Sequence, residues 1–208
     1  MQSKNLNSSY YSGIRYDSLS LLDHAHYEKI LEIGGGTFET LLFLDPRRQL
    51  DLWGVDIIDE RSDHRINFIQ GSIEKAEVYS LIPDNYFDLI IANDVLEHLA
   101  DTENFFRVCA DKLKKNGNLL LSVPNIRNIK TFYYVFFKGS FPRFEQGLFD
   151  TTHLRWFTKK DLLAHSSKRF VCLDIRSKGK YVSKILEKTF LAEFVAGHTI
   201  ALLQKYPS

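Results

Sequence analysis

The sequence L-E-I-G-G-G-T at residues 31–37 decides the fold, because an apolar run here ends in three consecutive glycines. Residues 29–33 have the composition of a short buried strand, and the helical stripe of residues 37–44 stops before Pro46. Glycines between a strand and a helix let the backbone approach a ligand without interference from a Cβ atom. The turn also points the positive end of the helix dipole towards that ligand. The stretch therefore predicts an α/β protein that binds a ligand above this turn.

Strand and helix patterns alternate on the carboxyl side of the turn. Such alternation indicates a parallel sheet with helices on both faces. Residues 87–92 are the most apolar of the predicted strands, as expected for a central strand that is buried on both faces. We predict a Rossmann-like, mostly parallel seven-stranded sheet whose last strand runs antiparallel. Its other strands are predicted at residues 29–33, 52–56, 66–69, 118–123, 169–176 and 198–205.

The chain is predicted to form one domain, at residues 16–208, behind a mobile arm at residues 1–15. Residues 126–150 interrupt the alternation of strands and helices. They are far denser in aromatic residues than the chain as a whole, in which aromatic residues make up 13%. We interpret this segment as a partly helical insertion in the domain.

Three helices have recognisable ends. Residues 16–28 predict a helix that leads into the first strand. A second is predicted at about 101–115, with Gly117 placed to end it. Thr158, followed three residues later by Asp161, is typical of the N-terminus of a third helix.

Composition and charge narrow the classes of function. The formal net charge is +1, with acids and bases spread along the chain, so the surface offers little attraction for polyphosphate and nucleic acid is not expected as a partner. The N-terminus lacks the apolar core of a signal peptide, and no apolar run approaches the ~20 residues that span a bilayer. Cys109 and Cys172 are far apart and match no metal or redox spacing. These observations predict a reduced, cytoplasmic protein, and they leave its oligomeric state open.

Asp56 is the second informative position. It follows the predicted strand at 52–56, about 20 residues after the glycine-rich turn. An acid at this place can accept hydrogen bonds from the vicinal hydroxyls of a ribose. A solvated acid at a strand end is the plain alternative, and the glycine-rich turn makes that alternative weaker.

A third block makes the pattern specific. F-D-L-I-I-A-N-D-V-L-E-H-L at residues 87–99, taken with the turn and Asp56, resembles the class I S-adenosylmethionine-dependent methyltransferases. The resemblance covers roughly residues 28–125, and L-K-K-N-G-N-L-L-L-S-V-P-N at 113–125 is similar to the family's next helix–strand passage. G-L-F-D-T-T-H-L-R-W-F-T at 147–158 resembles a pattern in small bacterial members, some of which accompany glycan or lipid-glycan biosynthesis.

The resemblance implies a cofactor, S-adenosyl-L-methionine, and residues that bind it. The glycine-rich turn would line its methionine end, Asp56 would hold the ribose, and the residues that follow the second and third strands would border the adenine. Two positions depart from the family's pattern: Phe38 replaces the third glycine of the loop, and Ser72 replaces an acid that bonds the adenine amino group. Phe38 requires that the loop sit differently or use the ring for packing. The implied cofactor-binding residues are Glu32, Gly34, Gly35, Gly36, Asp56, Ile57, Ser72, Ile73 and Asn93.

Methyl transfer requires little beyond positioning, because the sulfonium already makes the methyl group electrophilic. An oxygen or nitrogen nucleophile also needs a base for its proton. The candidates are His153, His98 and Asp94. The alternative for His98 is a histidine bonded to the backbone at the start of a helix, and for His153 it is a pair with Arg155 that anchors the lid without a chemical role. Glu97 and His98 could contribute to a metal site, but related enzymes that use a metal show more clustered acids and histidines. No metal is therefore predicted.

The expected function is methylation of an oxygen or nitrogen on a small-molecule or glycan acceptor, which can be lipid-linked and reached by peripheral membrane contact. Residues 126–150 would form a lid over the acceptor, and a helical hairpin that covers the sheet edge or forms a dimer contact is the alternative. Two other functions compete. A noncatalytic subunit could bind S-adenosylmethionine and stabilise an active partner. An NAD(P)-dependent Rossmann oxidoreductase is less compatible, because such enzymes rarely show the E-I-G-G-G-T and V-L-E-H-L passages.

Overall fold

The computed structural model describes residues 13–22, 27–179, 182–183 and 185–207. One seven-stranded sheet forms its centre, and the predicted fold is confirmed. The strands are β1 Lys29–Ile33, β2 Asp51–Asp56, β3 Asn67–Gln70, β4 Phe87–Asn93, β5 Leu113–Pro124, β6 Phe170–Lys178 and β7 His198–Lys205. Their order is β3-β2-β1-β4-β5-β7-β6. Strands β1 to β5 are parallel, and β7 runs antiparallel to both β5 and β6.

Short helices connect these strands. They are α1 Tyr16–Leu19, α2 Glu39–Phe43, α3 Ala76–Tyr79, α4 Thr102–Lys112, α5 Ile129–Phe132, α6 Lys159–Ser166 and α7 Ala192–Val195, with a 3₁₀ turn at Leu96–His98 and a π-helical turn at Tyr133–Phe137. The predicted cap of α6 is confirmed, because Thr158 and Asp161 form a reciprocal capping box. No helix in the described ranges is long and apolar enough to cross a bilayer.

Two predicted helix boundaries are wrong. The helix expected at 16–28 ends at Leu19 in the described part, while residues 23–26, like residues 1–12 of the predicted arm, lie outside the described residues. Helix α4 ends at Lys112 rather than near Gly117, because β5 already begins at Leu113, which pairs with β4. Hydrogen bonds to a neighbouring strand here override the local helical pattern.

The sheet is buried on both faces, as the apolar composition of β4 predicts. Ile90 packs into a core formed with α4, whereas Leu89 and Ile91 point into a second core on the opposite face. This division follows from the two-residue period of a strand. The apolar side chains of β4 therefore hold helices on both faces.

The strand order fixes where a ligand can bind. From β1 the sheet continues through β2 to β3 on one side, and through β4 to β5 on the other. In open α/β sheets ligands bind in the crevice outside the carboxyl ends of the strands where the order reverses. The crevice here lies between β1 and β4, and both the glycine-rich turn and Asn93 lie at these strand ends.

The aromatic segment at 126–150 is partly helical, as predicted, and its helical part is exposed. Helix α5 and the π-helical turn that follows bury none of their side chains. Phe136 and Phe137 are each 72% exposed. A hairpin that covers the sheet edge would bury such rings, so this form of the packing alternative is not supported.

Candidate functional site

The glycine-rich turn requires its glycines for two different reasons. Gly34 and Gly36 have φ angles of 70° and 57°, in the left-handed region that glycine adopts without a steric cost. A Cβ atom on Gly34 would also lie 2.5 Å from Val95 Cγ2. At Gly35 the reason is steric, because a Cβ atom would lie 2.3 Å from the ring of Phe38.

Phe38 keeps the loop in a glycine-like conformation. Its φ and ψ angles are 60° and 26°, so a phenylalanine occupies the left-handed region at the start of α2. The ring is fully buried and packs against Gly54, where an added Cβ atom would lie 2.7 Å from it. The sequence left two alternatives for Phe38, and the structure shows that the ring is used for packing. Burial of the ring offsets the strain of the left-handed backbone.

Asp56 is buried at the end of β2 and braces the turn. Its Oδ2 accepts a hydrogen bond from the Gly36 N–H at 2.9 Å, and its Oδ1 accepts one from the Ile58 N–H at 3.1 Å. Each carboxylate oxygen has a second lone-pair direction, so further donors can still bind. The neighbouring Ile57 is 66% exposed at the same strand end.

The residues that follow β3 lie beside the end of β2, which carries Asp56. Ile73 is buried, and Ser72 is half-buried with its Oγ accepting a hydrogen bond from the Glu74 N–H at 3.3 Å. The backbone N–H of Gly71 donates to the Asp56 carbonyl at 2.7 Å. This bond ties the loop that carries Ser72 to the end of β2.

Two polar side chains are buried without partners at the switch point. Glu32 on β1 has one carboxylate oxygen with no hydrogen bond, and neither polar atom of the Asn93 side chain on β4 has one, among the residues that the structure describes. Burial raises the pKa of Glu32 to about 8, opposed by a hydrogen bond from the Leu41 N–H and by the charge of Arg15. Buried polar groups without partners are costly, so both positions are suited to a polar ligand.

Asp94, directly after β4, is held in a strained conformation. Its φ angle is 54°, which is uncommon outside glycine. The carboxylate accepts a hydrogen bond from Ser122 Oγ at 3.0 Å and lies 3.3 Å from Arg15 Nη1. His198 Nε2 lies 3.5 Å from the same carboxylate. Such strain is concentrated at functional sites, and here three side chains hold the carboxylate at the strand end.

Glu97, His98 and His153 form a cluster beside Asp94. The two imidazole rings meet edge to face with centroids 4.8 Å apart, and His153 Nε2 lies 3.9 Å from Glu97 Oε1. Burial raises the pKa of Glu97 well above its usual value, and the nearby Asp94 adds to that rise. Burial, followed by the proximity of His98, lowers the pKa of His153. The structure thus brings all three predicted catalytic candidates to one place.

Two cavities adjoin these residues. The first has a volume of about 340 Å³ and is lined by Asn93, Asp94 and Ser122 among others. The second, of about 540 Å³, is lined by Asp94, Glu97 and His153 and by Lys130 of the aromatic segment. Asp94 lines both cavities and therefore stands where they meet.

Sequence reasoning missed two residues that line both cavities, Arg15 and His198. The antiparallel register of β7 pairs His198 with Pro124 at the carboxyl end of β5, which brings it to the site. No sequence signal marks Arg15, which was assigned to the mobile arm.

Comparison with known proteins identifies the family of this chain. A model of the methyltransferase domain matches residues 15–165 of the chain. The chain belongs to the S-adenosylmethionine-dependent methyltransferases. The predicted cofactor class is confirmed by this membership, and an NAD(P)-dependent oxidoreductase is excluded. The matched range contains the turn, Asp56 and the Glu97, His98 and His153 cluster.

The matching curated proteins have low sequence identity to this methyltransferase and match only part of it. It is 28% identical to the mitochondrial ubiquinone biosynthesis O-methyltransferase of Homo sapiens, over 33% of this chain and 17% of that protein. The corresponding Bos taurus protein is 29% identical over 47% of this chain and 29% of its own length. The chain thus spans less than a third of the length of these relatives.

Solved structures share the fold at low identity. One is a chain of the complex between the Haloferax volcanii Trm112 methyltransferase activator and a methyltransferase, with a TM-score of 0.64 and 13% identity over 93% of this chain and 88% of that one. Another is an S-adenosylmethionine-dependent methyltransferase from Archaeoglobus fulgidus, with a TM-score of 0.58 and 18% identity over 86% of each chain. The YcgJ protein from Bacillus subtilis has a TM-score of 0.62 and 17% identity over 93% of this chain and 100% of its own.

The residues of this methyltransferase fit the cofactor. S-adenosylmethionine carries an ammonium group, two ribose hydroxyls and an adenine. The unpartnered Glu32 carboxyl can accept from the ammonium, and Asp56 retains lone pairs for the hydroxyls. The exposed Ile57 offers an apolar surface to the adenine. Glycines at 34–36 leave the backbone open to the methionine end.

Proposed function

We propose that this protein transfers a methyl group from S-adenosylmethionine to an oxygen of a small-molecule or lipid-linked glycan acceptor. The observation that carries the proposal is that two buried side chains at the switch point of the sheet, Glu32 and Asn93, have polar atoms without a hydrogen-bond partner among the described residues. Asn93 lines the 340 Å³ cavity, and Asp94 lines both this cavity and the 540 Å³ cavity. A cofactor bound at Glu32 and Asn93 would present its methyl group to the 540 Å³ cavity.

The cofactor-binding roles follow the strand ends. Glu32 and the turn at 34–36 would bind the methionine end, and Asp56 would hold the ribose. Ile57 and Ile73, with the hydroxyl of Ser72, would border the adenine. Asn93 would lie near the methyl donor. The hydrogen bonds between Asp56 and the turn support this arrangement, because one carboxylate then braces the loop and faces the ribose.

The reaction itself is a displacement at the methyl carbon. S-adenosylmethionine would supply an electrophilic methyl group, which would pass to the acceptor oxygen while the carbon–sulfur electron pair left with S-adenosylhomocysteine. The proton of the acceptor passes to a base. Of the three candidates, Asp94 is favoured over His153 and His98 because Asp94 lines both cavities. The strained backbone of Asp94 also holds its carboxylate at their junction.

The acceptor would bind in the 540 Å³ cavity. Asn128, Lys130 and Gln146 bring polar groups from the aromatic segment to its wall. Exposed rings such as Phe136 and Phe137 continue on the same segment outside the cavity. This combination suits a polar head group attached to an apolar chain. The relatives named for ubiquinone biosynthesis O-methylation support an oxygen as the atom that is methylated.

The noncatalytic alternative is not favoured. It drew support from the departures at Phe38 and Ser72, but Phe38 retains the left-handed backbone that the loop needs. Ser72 keeps a hydroxyl at the strand end beside Asp56. Both observations support a working cofactor site rather than a degenerate one.

One experiment tests the proposal in two steps. Calorimetry with S-adenosylhomocysteine and with NAD should show binding of the first only. Transfer from isotopically methyl-labelled cofactor to hydroxyl acceptors, with and without an isoprenoid chain, should then fall by about 10²–10⁴ in Asp94→Asn while S-adenosylhomocysteine affinity changes little. Asp111→Asn, at an exposed acid of a surface pair with Arg107 that lines neither cavity, is the matched control. Full activity in Asp94→Asn would refute the assignment of the base, and absence of S-adenosylhomocysteine binding would refute the function.

A further inference from the structure

We propose that Glu97, His98 and His153 form a binding site for a divalent transition-metal ion. One ligand atom from each residue lies within 4.8 Å of the other two. Around a tetrahedral zinc with bonds of about 2.0–2.1 Å, neighbouring ligand atoms are roughly 3.3 Å apart. Small rotations of the three side chains would therefore close the cluster around an ion. This replaces the prediction from sequence that no metal is bound.

The state of Glu97 is the first argument for an ion. The residue is 1% exposed, and neither of its carboxylate oxygens has a hydrogen-bond partner among the described residues. A buried carboxyl without donors is costly, and cations or dense hydrogen bonding normally satisfy it. His153 Nε2 is 3.9 Å from Glu97 Oε1, which is beyond hydrogen-bond distance. A cation between them would satisfy the carboxylate.

The orientation of the two histidines is a second, independent argument. His98 Nδ1 lies 3.3 Å from the Thr152 carbonyl, and His153 Nδ1 lies 3.2 Å from the Leu148 carbonyl. A carbonyl oxygen only accepts, so each Nδ1 carries the proton and each Nε2 holds a free lone pair. Metal-binding histidines characteristically donate their other N–H to such an acceptor. Both rings are thus held in the tautomer that an ion requires.

The backbone fixes the loop that brings His153 to the 3₁₀ turn. The Glu97 carbonyl accepts hydrogen bonds from the Leu154 N–H at 2.9 Å and from the Arg155 N–H at 3.3 Å. The Arg143 guanidinium donates to the His153 carbonyl at 3.2 Å. These bonds hold the three ligands together before any ion arrives, which reduces the cost of ordering the site.

The ligand set indicates the kind of ion and its access. Two imidazoles and one carboxylate suit zinc, iron or cobalt better than magnesium or calcium, which prefer oxygen ligands. Three protein ligands leave a coordination position open, as in catalytic rather than structural sites. Glu97 and His153 line the 540 Å³ cavity, so that position faces the space assigned to the acceptor. Binding of the ion is independent of the proposed function, whereas binding of an acceptor oxygen to it rests on that function.

Titration with the metal alone tests the site. Protein freed of metal by a chelator should bind one Zn²⁺ per chain in calorimetry without cofactor, and Co²⁺ should give visible absorption bands typical of low coordination number. Glu97→Gln and His98→Ala should each weaken Zn²⁺ binding about tenfold or more. His64→Ala removes an exposed histidine outside the cluster and should leave the affinity unchanged.

The variants keep the test decisive. Glutamine at 97 has the shape of a protonated Glu97, and His98 is only half-buried, so both proteins are expected to fold, as thermal unfolding will show. Absence of Zn²⁺ binding, or equal binding by wild type and both variants, would overturn the site. Affinity for S-adenosylhomocysteine, measured on the same samples, separates this outcome from failure of the proposed function, because the two ligands bind different residues.

Discussion

At the scale of a single residue, we expect Asp56 to hold both the turn and the ribose, and one substitution should reveal both roles. Asp56→Ala is expected to weaken S-adenosylhomocysteine binding at least tenfold, because hydrogen bonds to charged groups contribute roughly 1.5–3 kcal/mol each. It should also lower stability by roughly 1–3 kcal/mol, because the Gly36 and Ile58 N–H groups lose their acceptor. Calorimetry and thermal unfolding measure the two effects.

Asp56→Asn is the control for the loop. Its amide oxygen can still accept from the Gly36 N–H, so the loss of stability should be smaller than in Asp56→Ala. An alanine variant with unchanged S-adenosylhomocysteine affinity would show that the ribose lies elsewhere.

We expect Glu32 to make cofactor binding depend on pH. Burial raises its pKa to about 8, so the carboxyl is mostly protonated at pH 6 in the free protein. An ammonium beside it favours the carboxylate and lowers that pKa, so binding releases a proton and the affinity for S-adenosylhomocysteine rises as pH increases from 6 to 7.5. The rise is at most about tenfold per pH unit. Calorimetry in buffers of different ionisation enthalpy counts the proton.

Glu32→Gln should bind more weakly and release no proton. Arg15 and Asp56, the charged groups that act on Glu32, are unchanged in this variant. Equal proton release by the variant and the wild type would assign the proton to another group.

Much of the cofactor half of the site follows from sequence at this scale. Glycines, an acid at the right distance and an apolar central strand each carry a local requirement that can be read without a structure. The position of His153 cannot be read in this way. It meets His98 only because the loop at 147–158 folds back, and hydrogen bonds to the Glu97 carbonyl, rather than any periodicity, specify that path.

At the scale of elements, the aromatic segment gives a prediction that separates binding from packing. Phe137 is 72% exposed, so Phe137→Ala should change the free energy of unfolding by no more than about 0.5 kcal/mol. If the segment binds the acceptor's apolar chain, the KM for an isoprenoid acceptor should rise several-fold while S-adenosylhomocysteine affinity stays constant. Steady-state kinetics and thermal unfolding measure both quantities.

Leu173→Ala is the matched control, since Leu173 is 50% exposed on β6 and lies outside the segment. It should change neither the KM nor the stability. Dissociation of an oligomer, or a loss of several degrees in melting temperature, in Phe137→Ala alone would support the dimer contact over the lid.

Element boundaries show where local patterns stop being informative. The capping box of α6 involves residues three apart and was predictable. The end of α4 was not, because Leu113 pairs with Phe87 on β4 and the strand begins where the lysine-rich helical pattern still continues. Lys114 accordingly forms an ion pair with Asp88 of that neighbouring strand, at 2.6 Å. Tertiary pairing decided the boundary.

At the scale of the whole molecule, the alternation of strands and helices was sufficient to predict a parallel sheet with an antiparallel strand. The alternation did not predict which distant residues complete the walls of the two cavities. Arg15 precedes β1 and His198 begins β7, yet they meet at Asp94. Only the sheet order brings together residues so far apart in sequence, so the surroundings of Asp94 are a property of the topology rather than of a motif.

The position of β7 between β5 and β6 affects how the molecule folds. Until residues 198–205 dock, β5 and β6 each present unpaired backbone groups at an open edge. Residues 119–121 of β5, fully buried in the native sheet, would lie along that edge. Asn118 pairs with Gln204 across a long stretch of chain, and such distant contacts form late. A folding intermediate that lacks β7 would therefore be prone to aggregation, and the yield of refolding should fall as protein concentration rises.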